Sequence, residues 1–113
     1  MKFYCNLMMS DILIAKKERV ISDIENRKAS FNRFVIVLSE KENLEIHSTM
    51  ALSKSVWKDK EWFVVGIATG YADALDMIKN LTQLVYNDTK DANLKEYILN
   101  KQEQWEKENC SRL

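Results

Sequence analysis

The sequence predicts one α+β domain spanning residues 1–113, with a three-stranded antiparallel sheet packed by helices in the order α-β-β-β-α-α. Three observations carry this. Trp62 to Ala68 is an uninterrupted apolar run rich in β-branched and aromatic residues, the composition of a strand covered on both faces. A helical stripe follows at once: Tyr71, Ala74, Leu75, Ile78, Leu81, Leu84 and Val85 recur at three- and four-residue spacing. The chain has no proline and two glycines, so nothing cuts it into domains, and its 46% hydrophobic content suffices for a core without disulfides or metals.

The elements follow in order. Ser10 or Asp11 can cap a helix over about 10–28, whose stripe is Leu13, Lys17, Val20, Ile21 and Ile24, with the Lys17 stem lying over apolar surface. Its opposite face carries Lys16, Glu18, Arg19, Asp23 and Glu25, and the cluster Lys16, Lys17, Arg19 is broken by Glu18, as on a solvated face. Residues 31–38 read as a strand, and the polar stretch 39–43 has the length of a hairpin turn. Over 44–53, Leu44, Ile46, Ser48, Met50 and Leu52 alternate with polar neighbours, a half-buried strand. Residues 54–60 form a charged loop holding Trp57. A strand over 61–68 and a helix over 71–88 follow. Thr89 to Asp91 breaks the helix, Asp91 can cap the next, and Leu94, Tyr97, Ile98, Lys101 and Trp105 space as a helix over 92–107, after which the tail frays. Met8 and Met9, ahead of the first helix, read as gap-filling core.

This order contains a conflict. In a meander the strand 44–53 is central, yet it has one polar face, whereas both outer strands are apolar on both. Either a helix wraps an outer strand or a second copy of the chain covers it, and the second option predicts a homodimer.

Formal net charge is zero, with 30% charged residues, which is not the basic footprint of a general nucleic-acid binder. Residues 1–60 hold 11 basic and 8 acidic side chains and residues 61–113 hold 6 and 9, a difference of +3 against −3 that permits dimer contacts. Cys5 and Cys110 make no disulfide framework, which fits reduced thiols in a cytoplasmic protein. The N-terminal stretch lacks the charge and cleavage pattern of a signal peptide, and no apolar run is long enough to cross a membrane. No internal repeat is present.

No catalytic, cofactor or metal site is expected. Gly66-x-x-x-Gly70 is neither G-x-G-x-x-G nor a P-loop, and Asp73 and Asp76 would repel a phosphate there while complementing the helix dipole. His47 points with Glu45 and Thr49 to the polar face, away from Ser48, so no nucleophile lies beside it. One histidine and two distant cysteines do not supply a zinc site, and no carboxylate pattern marks a calcium loop or a catalytic pair. Trp57 and Trp105 each either fold back on the core or stand exposed as anchors, and on the second reading partner binding is assigned to Trp57 with Lys58 and Lys60, and to Trp105, because tryptophan is enriched where partners anchor.

Trp62-Phe63-Val64-Val65-Gly66-Ile67-Ala68, Gly70-Tyr71, Asp73-Ala74-Leu75, Val85-Tyr86 and Thr89 resemble a pattern in short uncharacterised bacterial proteins of similar length. The resemblance covers about half the chain and brings no activity with it. It implies a bacterial, cytoplasmic setting, such as a protein carried on a mobile element.

The leading expectation is therefore a non-enzymatic protein that binds another protein, for example a stoichiometric inhibitor or regulator. Two alternatives stand beside it. One is a nucleic-acid-associated module using a sheet face or the Lys54–Lys60 loop, marked by salt-sensitive binding to single strands. The other is a small-molecule-binding domain or enzyme, marked by a deep pocket with convergent polar groups.

Overall fold

A computed structural model describes residues 1–39, 43–52 and 61–110. The described strands are β1 (Lys2–Met9), β2 (Arg33–Leu38), β3 (Leu44–Ser48) and β4 (Phe63–Thr69). The described helices are α1 (Asp11–Ile14), α2 (Lys17–Glu25), α3 (Thr49–Leu52), α4 (Tyr71–Thr89) and α5 (Leu94–Cys110). They form one α+β domain around a four-stranded mixed sheet in the order β1-β4-β2-β3. β4 runs parallel to β1 and antiparallel to β2, and β2 and β3 make an antiparallel hairpin.

This arrangement corrects the three-stranded meander and removes its conflict. The two doubly apolar strands, β4 and β2, are the inner strands, while the strand with a polar side, β3, is an edge. The missing neighbour is β1. Its sequence, Lys-Phe-Tyr-Cys-Asn-Leu-Met-Met, alternates poorly because its pairing to β4 is interrupted between Phe3 and Met8. Helices cover both faces of the sheet. On one side Leu13, Val20 and Ile24 of α1 and α2 pack against Val35, Val37, Val64 and Ile67, with Trp62 beside them. On the other, Ala74, Leu81 and Val85 of α4 and Leu94 and Ile98 of α5 pack against Tyr4, Ile36, Val65 and Ala68. An uncovered outer strand thus gives no reason for a homodimer.

β4 serves both cores by breaking its own alternation. Val64 lies on the α2 side and Val65 on the α4 side, yet Ile67, two residues further, is back on the α2 side. The register shows why: Ile36 pairs with Gly66 but Val37 pairs with Val64, so Val65 is an extra residue, a β-bulge. Gly66 sits at that irregularity, and a Cβ there would lie 3.1 Å from Ile36 Cδ1 and 3.5 Å from Met8 Cβ. The missing side chain is what lets β1 and β2 close on β4.

The helix expected over 10–28 is two helices with a break at Ala15 and Lys16. Ser10 holds the N-cap position of α1 but makes no capping bond, because its hydroxyl donates to Asp73 at 2.6 Å. The strand expected over 44–53 ends at Ser48, where the chain turns into α3. The helix expected over 71–88 is α4, which opens at Gly70 (φ 88°) and closes at a left-handed Lys90 (φ 60°) whose amide donates to Tyr86 O. Asn93, rather than Asp91, caps α5: its side chain accepts the Glu96 amide and donates back to the Glu96 carboxylate.

α5 crosses the sheet from β3 to β1. Its Lys95 amide donates to the Asn43 side chain beside β3, Ile98 enters the core, and Gln102 reaches β1. There the Cys5 amide, in the stretch where β1 is out of register with β4, donates to Gln102 Oε1 at 2.7 Å. Gln102 is 4% exposed and in turn donates to Glu106, which also pairs with Lys2. The hydrogen bonds from Lys2 and Gln102 hold the Glu106 carboxyl below its ordinary 4.5. That contact supports the fold above the ordinary value and is lost as pH falls through the lowered one. A polar residue at a buried helix position is thus explained by one strand amide that needs an acceptor.

Two outcomes follow. Gly66→Ala should lower stability in urea denaturation by about 1–2 kcal/mol through overpacking. On that background Ile36→Val, which removes the clashing Cδ1, should cost less than its usual ~0.5–1.5 kcal/mol. Gln102→Leu should cost about 1–3 kcal/mol, because it orphans the Cys5 amide, and should speed hydrogen exchange at Cys5 ahead of the rest of β1.

Candidate functional site

Trp57, Lys58 and Lys60 lie outside the described residues. Trp105 is on α5 and 46% exposed, distant in sequence from every other exposed aromatic ring but Tyr86. The structure therefore does not bring the partner-binding residues expected from sequence into one described site. Cys5 is a free thiol, half-buried, whose Sγ lies 3.9 Å from Lys101 O.

His47 is on the side of β3 that the alternation predicts, opposite Val35, but it does not face open solvent. Its ring meets buried Trp62 edge-on at 5.2 Å between centroids, and Nε2 lies 3.0 Å from Glu45 Oε2. The other Glu45 oxygen accepts the hydroxyl of buried Ser39 at 2.9 Å. A serine, a carboxylate and a histidine thus stand in line, with the carboxylate in the middle. Nucleophile activation places the imidazole beside the hydroxyl and the carboxylate behind the imidazole. Here the carboxylate takes the serine's proton side and fixes the histidine ring, which orients both groups at the hairpin without poising either for attack. Among the described residues, no three histidine, cysteine or acidic side chains converge as a metal site.

Two of the concavities among the described residues border α5. One, of about 200 Å³, is lined by Thr89, Asp91, Asn93, Glu96 and their neighbours, groups that largely serve the α4–α5 turn and its cap. The other, of about 330 Å³, is an apolar groove between β1 and α4 lined by Tyr4, Met8, Leu81, Leu84 and Tyr97 with Asn6 and Asn80. Burial pushes the Tyr4 phenol above its ordinary value, an effect partly offset by its hydrogen bond with Asn6. The first gathers Asp91, Glu96 and Lys101 beside that turn, and the second has Asn6 and Asn80 as its polar groups.

The most distinctive surface lies at the end of the sheet where β1, β3 and β4 finish and β2 begins. Each strand places a large, exposed apolar side chain there. Ile12 (68% exposed) follows β1, Tyr71 (54%) follows β4, Phe31 (94%) precedes β2 and Met50 (56%) follows β3, with Ile14 (54%) at the end of α1. Four strands at about 4.8 Å spacing make a row roughly 15 Å long. Scattered single apolar residues are ordinary on a surface, but several brought to one end of a sheet by strand order and direction make that end a candidate contact region.

The row is held firmly from below. Phe31 sits between two anchored residues. The Ser30 amide donates to Thr49 Oγ1 and the Thr49 hydroxyl donates to Ser30 O, both at 3.1 Å. On its other side, Asn32 (φ 57°) accepts the Gly70 amide at 2.8 Å. Arg33 braces the same loop through Ser30 Oγ (3.2 Å) and Asp23 (3.6 Å). Ile12 rides between buried Leu13 and buried Ser10, whose amide donates to Ile67 O and whose hydroxyl oxygen accepts the Thr69 amide at 3.0 Å. Tyr71 leans edge-on against Phe34 at 5.9 Å between centroids. Sequence reading placed Tyr71 in the core stripe of α4, missed β1 and so could not see that these residues share an end.

No family model, curated protein or solved structure matches the chain.

Ser10→Ala tests the anchoring. It removes the acceptor of the Thr69 amide and the donor to Asp73, so stability should fall by about 1–3 kcal/mol. Exchange should quicken at Thr69 and through α1 before it does in β2.

Proposed function

We propose that this chain is a non-enzymatic protein that works by binding another protein through the apolar end of its sheet. The observation that carries the reading is Phe31, an aromatic ring 94% exposed in a loop whose flanking residues are both tied to other elements. A side chain held in place loses little entropy on docking, and aromatic anchors supply much of the energy of protein interfaces. An aromatic ring left in water costs free energy that a partner recovers by covering it. A stoichiometric inhibitor or regulator acting in a bacterial cytoplasm fits such a surface, since occupying a partner's site needs no chemistry of its own. The described helices include none long and apolar enough to cross a membrane.

Nucleic-acid binding is the weaker reading. The sheet faces it would use are covered by helices, and Asp11, Asp73 and Asp76 stand at the apolar end among its cations.

The test is affinity capture from a lysate of the source cell, with the wild-type chain and the Phe31→Ser, Ile12→Ser double variant as baits. Both substitutions are at exposed positions, so melting temperature should be unchanged. A stoichiometric partner should be retained by the wild type and lost from the variant. Equal retention by both baits, or retention of nothing, rejects this surface as the binding site.

A further inference from the structure

We draw no further inference here: the strongest candidate, the apolar groove between β1 and α4 lined by Tyr4, Met8, Leu81 and Leu84, carries nothing because nothing in the structure shows what covers it.

Discussion

The structure depends on β4 being apolar on both faces. A strand of that kind cannot sit at an edge or leave a side in water, so it takes a neighbour on each side and a helix layer above and below. Val65 and Ala68 go to one core and Val64 and Ile67 to the other, all with no exposure. Burying a valine or isoleucine side chain is worth about 1.5–3 kcal/mol, so three such side chains in seven residues make this strand the centre of both cores. The bulge at Val65 follows from the same demand. It lets the strand change which face its side chains serve, and Gly66 is the residue that allows the neighbours to approach where it does so.

Much of this was legible, and what was not has a physical cause. The strand-turn-helix unit from Trp62 onward and the β2–β3 hairpin were readable because their patterns are local: an apolar run, a period of two, a period near four. β1 was not, because its pairing is interrupted midway and one of its amides is satisfied by a glutamine about a hundred residues away in sequence, a bond with no local signature. Missing β1 and pairing β4 with β3 instead of β2 turned a mixed sheet into a meander and made two inner strands look like outer ones. The helix broken at Ala15 and Lys16 was read as continuous because its apolar spacing survives the break. Ser10 looked like a cap, but its hydroxyl serves Asp73 and the Thr69 amide, partners that only the parallel β1–β4 pairing brings together.

The candidate site was less legible than the fold for a related reason. Ile12, Phe31, Met50 and Tyr71 belong to four separate connections, and each alone reads as core or as an ordinary exposed residue. Their common location is a property of strand order and direction. It appears only once β1 and β4 are parallel and β2 opposes them.

Among the described residues, the sheet end rather than the sheet edge is therefore where the sheet itself has surface left to use. Its faces are spent on two helix layers. One edge is bound by α5 through Gln102, Glu106 and Lys2, and the other carries the Ser39, Glu45 and His47 chain with Trp62 packed against it. At the remaining end the chain has spent hydrogen bonds on fixing loops that expose apolar side chains. Ser30 with Thr49 and Asn32 with Gly70 hold a ring that touches nothing to speak of. For folding alone that order is costly, since a serine in place of Phe31 would keep every one of those bonds and remove an aromatic ring from water. An anchored loop that presents a fully exposed phenylalanine makes energetic sense once another surface covers it.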